Sequence, residues 1–371
     1  MDKVLVTGGA GFIGSFIVDE LVEKGYEVRI LDNLDKQVHP TGQTPAWLNE
    51  KAEFMKGDVR NKEDVAKAME GIDVLFHEAA AVGVGQSMYE IDYYVDVNTR
   101  GTGNVLEYLA NEEHSVKKMM VAASMSEYGE GLYKCPDCGL VEPPLREEEQ
   151  MAKQEWEPKC PNCGKELKAV PTPETKNLNC NSIYALTKKD QEEMVLMIGK
   201  AYGIKAVALR YFNVFGPRQS LSNPYTGVAA IFMSRIKNNH APIVYEDGMQ
   251  TRDFISVHDI AKANVLAMES NAANGEVFNV GSGNPISIKG VGETVAKLCG
   301  SDLMPEVTNK FRKGDVRHCY ADISKIKNKL GFGPSLSFED GMSEIIEWSN
   351  TVKAEDKFEQ ATSELKKKGL I

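Results

Sequence analysis

The stretch VLVTGGAGFIGS, residues 4–15, decides the fold of this chain. An apolar run ending at Thr7 predicts a buried strand, and the apolar spacing over residues 12–24 predicts a helix. Three glycines lie between them at GxxGxxG spacing: Gly8, Gly11 and Gly14. Such glycines permit a tight turn, bring the backbone close to a pyrophosphate and let the helix pack on the strand. The stretch therefore predicts a dinucleotide site at a helix N-terminus, where free N–H groups and the positive dipole end bind phosphate.

The second predicted strand, residues 26–32, ends at Asp32. A carboxylate there accepts the ribose hydroxyls of a dinucleotide and repels a ribose 2'-phosphate, so NAD is favoured over NADP. Short apolar runs then alternate with amphipathic stretches. Further strands are predicted at 53–56, 73–77, 117–124 and 205–212, with helices at 61–70 and 92–112. This alternation predicts an α/β fold with a doubly wound parallel Rossmann sheet.

Changes in composition along the chain predict its domain organisation. Residues 1–130 and 174–213 form the NAD-binding Rossmann domain, and the irregular segment 131–173, rich in Cys, Pro, Glu and Lys, is an insertion. Residues 214–371 form mainly a smaller substrate-binding lobe, and strands near 254 and 277 are expected to return to the main sheet. Helices are expected near 224–237, 258–269, 287–299 and 338–350. The tail EDKFEQATSELKKKGLI is typical of a solvated amphipathic helix.

Three residues are the catalytic candidates. Tyr184 and Lys188 stand at i, i+4 in NSIYALTKKDQEE, so a helix places both side chains on one face. Lys188, with a nicotinamide cation nearby, is expected to lower the pKa of the Tyr184 phenol and make it a base near neutrality. Ser124 directly follows an apolar strand, and the carboxyl end of a strand faces the cofactor crevice in this architecture.

The insertion contains two paired cysteine motifs. CPDCG holds Cys135 and Cys138, and CPNCG holds Cys160 and Cys163. Four thiolates at this spacing meet the tetrahedral demand of Zn²⁺, and the glycine after each pair allows the turn of a zinc ribbon. Because protein would fill all four positions, the expected zinc is structural. The insertion lies between Ser124 and Tyr184, so we expect it to emerge beside the active site.

Nine sequence blocks in order along the chain resemble those of the extended short-chain dehydrogenase/reductase family, and within it the nucleotide-sugar epimerases. The blocks are TGGAGFIGS, LDNL, GDVRN, FHEAA, ASMSEYG, YALTK, LRYFNVFGPR, RDFISVHD and FNVGSG. The resemblance covers nearly the whole length outside residues 131–173. It implies that Ser124 helps polarise the reacting oxygen, Tyr184 is the catalytic base and acid, and Lys188 binds the nicotinamide ribose.

The same resemblance implies roles for further residues. Asp58 and Val59 lie by the adenine, and Ala79 and Ala81 line the cofactor. Asn98 supports the active site, and Phe212 marks a strand end that reaches the cofactor. The cofactor set is completed by Phe12, Ile13 and Asn33. On the substrate side the resemblance implies that Asn213, Asn223, Arg252, Arg312 and Asp315 hold a nucleoside diphosphate, with Ser126 beside the sugar. Two guanidinium groups can bind a pyrophosphate through paired charge-assisted hydrogen bonds.

The residues after Ser124 bear on the reaction. Sugar 4,6-dehydratases of this family follow the active-site hydroxyl with an Asp-Glu pair, whereas Met125 and Ser126 stand here. Dehydration is therefore disfavoured, and epimerisation at C4 through a transient 4-keto sugar is expected. The blocks AAVGVGQSMYEI, SMSEYGEGLY and LSNPYTGVAAIF are most similar to the dTDP-L-rhamnose 4-epimerase branch. UDP-glucose or UDP-glucuronate 4-epimerases, and a net nucleotide-sugar dehydrogenase or reductase, remain alternatives.

Charge and hydropathy limit the partners. The formal net charge of −11 disfavours polyanions, so no nucleic acid is expected; a nucleic-acid-binding regulator built on the ribbon is the weaker alternative. No apolar run has the roughly 20 residues of a membrane span, and the N-terminus lacks a signal-peptide pattern, so a cytoplasmic location without membrane partners is predicted. The resemblance implies a homodimer that pairs the helices near 92–112 and 182–202.

Overall fold

The computed structural model describes residues 2–371. The strands are β1 (Lys3–Thr7), β2 (Glu27–Asp32), β3 (Glu53–Lys56), β4 (Val74–His77), β5 (Lys118–Ser124), β6 (Leu132–Cys135), β7 (Gly139–Val141), β8 (Lys168–Val170), β9 (Lys205–Tyr211), β10 (Asn213–Phe215), β11 (Ile243–Val244), β12 (Thr251–Ser256), β13 (Glu276–Val280), β14 (Pro285–Ser287), β15 (Glu306–Val307) and β16 (His318–Cys319). The α-helices are α1 (Phe12–Glu23), α2 (Lys62–Met69), α3 (Val84–Ser87), α4 (Ile91–Tyr94), α5 (Gly101–Asn111), α6 (Glu148–Ala152), α7 (Ile183–Tyr202), α8 (Val228–Lys237), α9 (Val257–Glu269), α10 (Ile288–Leu298), α11 (Ser324–Leu330), α12 (Phe338–Ser349) and α13 (Phe358–Lys367).

The main sheet has seven strands in the order β13-β9-β5-β4-β1-β2-β3. All of its pairings are parallel, so the predicted α/β fold with a parallel Rossmann sheet is confirmed. Successive side chains of β1 point to opposite faces, and both faces are buried. Val4 and Val6 pack with Ile17 of α1 on one face, whereas Leu5 packs with Leu106 of α5 on the other. The carboxyl ends of the strands therefore form one edge, where ligands bind in open α/β sheets.

One strand of the substrate lobe corrects the sequence prediction. The strand near residue 277, β13, joins the main sheet beside β9 as expected. The strand near residue 254, β12, does not, because it pairs with β10, β14 and β16 in a separate sheet. Phe254 and Ile255 are buried in that sheet. Their apolar run fits any buried sheet, and such a run does not specify its partner strand.

The predicted insertion has its own small layer. Strands β7, β6 and β8 form an antiparallel sheet, and the short helix α6 follows the first cysteine pair. Its apolar cluster is small: Tyr133, Cys135, Val141, Cys160 and Leu167, while Met151 and Trp156 are buried outside that cluster. A cluster of this size is too small to fold on its own without a cross-link, a metal or packing against the rest of the chain.

Two other helical segments differ from expectation. The predicted helix at 92–112 contains a π-helical turn over Val95–Arg100, between α4 and α5. The tail forms the predicted helix, α13, but Ala361 and Leu365 are buried, so the expectation that it is solvated is wrong on that face. Within residues 2–371, no helix has both the length and the apolarity needed to cross a bilayer.

Candidate active site

The turn after β1 can accept a pyrophosphate closely. Gly8 has φ of +71°, and a Cβ there would lie 2.9 Å from the backbone of Ala79. A Cβ on Gly14 would lie 2.3 Å from the carbonyl oxygen of Gly8. Helix α1 begins directly after Gly11, so its first N–H groups face the end of the sheet, and Phe12 and Ile13 form its half-buried first turn. The geometry is that of a helix N-terminus ready to bind an anion.

Asp32 closes this turn from the end of β2. Its carboxylate accepts hydrogen bonds from the backbone N–H of Ala10 at 3.0 Å and of Leu34 at 2.8 Å. Burial raises the pKa of Asp32 against the lowering effect of these bonds. Each carboxylate oxygen retains acceptor capacity, which suits a ribose with two hydroxyls.

The adenine-side candidates are linked to each other. The Asn33 amide donates to the Asp58 carboxylate at 2.9 Å, and Arg60 donates to the same carboxylate at 2.7 Å. Burial acts against ionisation, but the hydrogen bonds from Arg60 and Asn33 prevail and lower the pKa of Asp58 to about 2. Val59 is buried beneath Gly101, the first residue of α5.

Asn98 lies in the π-helical turn and connects three segments. Its side chain accepts from the N–H of Ala81 at 2.7 Å and donates to the Ala81 carbonyl at 3.1 Å. It also donates to the Thr187 hydroxyl on α7 at 3.0 Å. The segment 79–81, which follows β4, is thereby fixed to the helix that carries Tyr184 and Lys188.

The structure brings Ser124 and Tyr184 together at the carboxyl edge of the sheet. Ser124 ends β5, and its hydroxyl accepts a hydrogen bond from the Ser126 hydroxyl at 2.8 Å. The backbone N–H of Tyr184 donates to the Ser87 hydroxyl at 3.0 Å, which fixes the first turn of α7. Burial raises the pKa of the Tyr184 phenol to about 12, although hydrogen bonding to Ser124 lowers it. The expectation that Lys188, together with a nicotinamide cation, lowers this pKa concerns the NAD-bound enzyme and stays a prediction.

Lys188 lies one turn further along α7 and is 2% exposed. Its ammonium donates to the Gln191 side chain at 2.7 Å. Burial lowers the pKa of Lys188 to about 8, while Glu78 and Glu127 oppose that change. Lys188 thus remains a cation at neutral pH inside a mostly buried site.

Sequence reasoning missed a polar layer behind Lys188. Gln191 donates to the Thr102 hydroxyl at 2.8 Å and contacts the ring of His77 at 3.2 Å. Burial raises the pKa of Glu78 to about 7, and its carboxylate accepts from the Tyr211 hydroxyl at 3.1 Å. The sequence does contain one signal for this layer, since Glu78 interrupts the apolar block FHEAA where β4 ends.

Three of the predicted substrate residues form one cluster. The Asp315 carboxylate lies 3.3 Å from the Arg252 guanidinium and 2.8 Å from that of Arg312. Burial would raise the pKa of Asp315, but the two arginines lower it, so the carboxylate stays charged. Arg252 also donates to the backbone carbonyls of Thr251, Val316 and Arg317. A diphosphate would therefore use the remaining Nε–H of Arg252 and the free donors of Arg312.

The remaining candidates do not lie together. Asn213 begins β10, and its side-chain oxygen is buried without a hydrogen-bond partner in the part of the chain that the structure describes. Asn223 lies elsewhere, in a cavity it shares with Gln37 and Glu364. Phe212 is 3% exposed and packs towards Tyr128 rather than into the crevice. The structure thus brings the arginines together but not Asn223 with them.

The four motif cysteines meet at one point. Their sulfur atoms all lie within 4.8 Å of one another, and those of Cys135 and Cys163 are 3.5 Å apart. Four thiolates at about 2.3 Å from a tetrahedral zinc ion lie about 3.8 Å apart, so the arrangement fits that ion. Cys135 and Cys160 are buried, whereas Cys138 and Cys163 are exposed.

Comparison with known proteins agrees with this geometry. Residues 4–157 match the model of the NAD dependent epimerase/dehydratase family, and residues 164–345 match that of GDP-mannose 4,6 dehydratase. A dTDP-L-rhamnose 4-epimerase of Burkholderia thailandensis is 33% identical over 356 residues, covering 93% of this chain and 94% of the relative.

Two solved structures share the whole fold. UDP-glucose 4-epimerase of Thermotoga maritima, with UDP-glucose, is 31% identical with a TM-score of 0.77, covering 94% of this chain and 99% of the other. UDP-glucuronic acid 4-epimerase of Bacillus cereus, with UDP-glucuronic acid and NAD, is 26% identical with a TM-score of 0.77, covering 95% and 100%. The predicted family and the expectation of an enzyme of the epimerase class are confirmed. The chain belongs to the NAD-dependent epimerase/dehydratase family of extended short-chain dehydrogenases/reductases.

Proposed function

We propose that this enzyme epimerises a nucleoside diphosphate sugar at C4, with NAD as a permanently bound cofactor. The observation that carries the proposal is the approach of Ser124 to the Tyr184 phenol at the sheet edge that also holds the glycine turn. The phenol can take a proton from a sugar hydroxyl there, and the serine hydroxyl can hold the oxygen from which it leaves.

The chain's own residues account for the proton steps. Tyr184 accepts the proton of the C4 hydroxyl, and Ser124 orients that oxygen. Lys188 supplies a fixed positive charge beside the cofactor ribose. NAD held by the glycine turn and Asp32 would supply a reversible acceptor for the C4 hydride, which could then return to the opposite face of the 4-keto sugar. Tyr184 then gives its proton back to the oxygen, so no net oxidation occurs.

The phenol needs a positive charge to work near neutrality. Burial raises its pKa to about 12, and hydrogen bonding to Ser124 only partly offsets that change. The nicotinamide of NAD is cationic, so a bound NAD would lower the pKa of the Tyr184 phenol and let it act as a base near neutrality. This coupling supports a cofactor that stays bound through turnover.

Replacing Tyr184 with phenylalanine tests the proposal. The variant should retain NAD and lose about 10²–10⁴-fold in epimerisation rate, the range for removing a general acid–base group. Isomer interconversion by the variant at its original rate would overturn the proposed mechanism. Sustained growth of reduced-nicotinamide absorbance with the wild type would favour the alternative, a net dehydrogenase.

For the substrate we propose dTDP-L-rhamnose. The local blocks around residues 80–91, 124–133 and 221–232 support it, as does the relative from Burkholderia thailandensis. UDP-glucose and UDP-glucuronate are the competing substrates, because one of the two similar solved structures contains UDP-glucose and the other contains UDP-glucuronic acid. Supplying the three separately and identifying the products decides among them, and turnover of UDP-glucose without turnover of dTDP-L-rhamnose would reject our choice.

We also propose that the four cysteines bind one structural Zn²⁺. The close sulfur atoms support this proposal, and a reducing compartment favours metal over disulfides. Metal analysis of the purified chain should find about one zinc per chain. A metal-free, fully active preparation would contradict it.

We also propose that the chain forms a homodimer. Apolar side chains lie exposed along α3 to α5 and on α7: Val84, Met88, Ile91, Val95, Leu186 and Met197. Exposed apolar residues grouped on neighbouring helices are typical of an interface. Light scattering should give twice the chain mass, and replacing Met197 with glutamate should shift the mass towards one chain.

A further inference from the structure

The inserted segment contacts residues 312–318, here called the arginine segment. The guanidinium of Arg146, in the insertion, is 1% exposed and donates to the Glu246 carboxylate in two bonds of 2.8 Å. The same guanidinium donates to the backbone carbonyl of Asp315 at 3.0 Å. A planar guanidinium can satisfy these directions together, which an ammonium cannot do in the same geometry.

The arginine segment also contacts Arg252. The Arg252 guanidinium donates to the carbonyl of Val316 at 2.6 Å and to that of Arg317 at 3.0 Å. The Asp315 carboxylate adds its ion pairs to Arg252 and Arg312. Arg146 and Arg252 therefore donate to consecutive backbone carbonyls of the same short stretch, Asp315 to Arg317, which links their positions through that stretch.

A second contact from the insertion acts on the same segment. Glu157 accepts from the Arg317 guanidinium at 2.6 Å and contacts the ring of His318 at 3.0 Å. Arg317 is 1% exposed and also pairs with Glu246. Arg146, Glu246, Arg317 and Glu157 thus form one ion network that joins the insertion to the arginine segment.

The cysteine cluster lies close in sequence to two residues that contact this network. Glu157 lies three residues before Cys160, and Tyr133 lies two residues before Cys135. The Tyr133 hydroxyl donates to Glu130 at 2.7 Å, and Glu130 accepts from the N–H of Arg317 at 2.8 Å. Arg146 also donates to the carbonyl of Trp156 at 3.0 Å, and the position of that carbonyl depends on the fold of the insertion. Metal at the cysteines would therefore order the network.

We infer that Arg146 is a positioning residue for diphosphate binding, and that the metal-bound insertion holds Arg252 and Arg312 in place through it. The inference rests on the proposed function, in which those two arginines bind the substrate diphosphate. Arg146 does not itself touch the sugar. Its loss should weaken binding of the nucleoside diphosphate in ground and transition states alike, which raises KM and leaves kcat nearly unchanged.

The test uses the full chain with Arg146→Gln and Arg146→Lys, and Lys134→Ala as a control on the exposed face of the same insertion. Calorimetric titration with UDP and with dTDP measures the diphosphate site directly. We expect Arg146→Gln to weaken the affinity for whichever of these two nucleotides binds the wild type by about tenfold or more. The KM for the nucleotide sugar should rise by a similar factor, and kcat should stay within about threefold of the wild-type value. Arg146→Lys should weaken the affinity less, and Lys134→Ala should match the wild type. NAD occupancy and metal content should not change.

Two further measurements separate the possible failures. Removing the metal from the wild type with a chelator should weaken UDP or dTDP binding by a similar factor while NAD stays bound. Wild-type diphosphate affinity in either Arg146 variant, or an equal loss of NAD from it, overturns the inference. If the wild type itself binds neither UDP nor dTDP, it is the proposed function that fails.

Discussion

Tyr184 shows how one residue can be placed correctly by the sequence and yet have an unexpected acidity. Its phenol lies against the ring of Tyr94, with centroids 6.5 Å apart, and burial raises its pKa to about 12. The i, i+4 spacing predicted that Lys188 shares its helix face. Spacing cannot give the depth of burial, which depends on residues such as Tyr94 that are remote in sequence. The depth keeps the Tyr184 phenol protonated near neutrality until a cation beside it lowers its pKa.

At the same scale, Ser124 should matter for rate more than for binding. We expect Ser124→Ala to lower kcat about 10²-fold or more while NAD occupancy stays unchanged, because the hydroxyl orients the reacting oxygen and lowers the phenol pKa. Steady-state product formation and the NAD content of the purified variant measure this. Ser124→Thr keeps the hydroxyl and should retain most of the activity. Equal kcat for Ser124→Ala and the wild type would remove Ser124 from the mechanism.

His77 predicts a specific dependence of stability on pH. It is 1% exposed between the hydroxyls of Thr7 and Thr102, and burial, with the charge of Lys188, lowers its pKa to about 3. An unfolded chain protonates this ring below about pH 6.5, whereas the folded chain keeps it neutral until about pH 3. The unfolded state therefore binds the extra proton, and stability falls as pH falls through this window, by up to about 1.4 kcal/mol per pH unit.

His77→Gln isolates that effect. The glutamine does not titrate, so the free energy of unfolding of the wild type minus that of the variant should decrease steadily from pH 6.5 towards pH 4. Urea unfolding at several pH values measures the difference. A difference that stays constant over this range would mean that His77 is protonated in the folded chain.

At the scale of elements, prediction succeeded where the signal is local. The strand, turn and helix around the glycines were predicted almost to the residue because their apolar periods and glycines lie within about 20 residues of each other. The prediction that β12 joins the main sheet was wrong, because strand pairing depends on residues that are far apart in sequence. The π-helical turn is not predictable from the helical period, and the bonds that Asn98 makes from it to Ala81 and Thr187 join segments that are distant in sequence.

Gly14 offers a test of the packing between α1 and the glycine turn. An added Cβ would lie 2.3 Å from the Gly8 carbonyl oxygen and 2.9 Å from the Gly9 Cα, both backbone atoms that cannot rotate away. We expect Gly14→Ala to weaken NAD binding about tenfold or more, because the turn or the helix must move. The NAD content and melting temperature of the purified variant measure this.

Gly103 provides the matched control on another helix. A Cβ there would meet Met194 Cε at 3.8 Å, an ordinary contact. Gly103→Ala should keep NAD and stabilise α5 by up to about 1 kcal/mol, since alanine is the better helix former. Full NAD content in Gly14→Ala would show that the turn does not need this close approach.

At the scale of the molecule, two distant parts of the chain contact the arginine segment. The insertion contacts residues 312–318 through Arg146 and Glu157, and the tail reaches the same segment where the N–H of Lys313 donates to the Leu370 carbonyl at 3.2 Å. The sequence predicted the insertion and its cysteines from spacing alone. It could not predict where the insertion docks, because polar side chains far apart in sequence make the contacts and leave no periodic pattern.

Removing the metal should unfold the insertion while leaving the Rossmann sheet intact. The insertion buries only five residues in its own apolar cluster, two of them the thiols Cys135 and Cys160, so a metal at the proposed zinc site would add much to its stability. We expect Cys163→Ser to lose zinc and to become sensitive to limited proteolysis within residues 131–173, with NAD retained, because local unfolding can stay confined to a weak unit. Cys299→Ser alters a half-buried thiol of the substrate lobe, outside the insertion, and should keep both zinc and resistance. Wild-type resistance in a zinc-free Cys163→Ser chain would show that the ion network with Arg317 holds the insertion without metal.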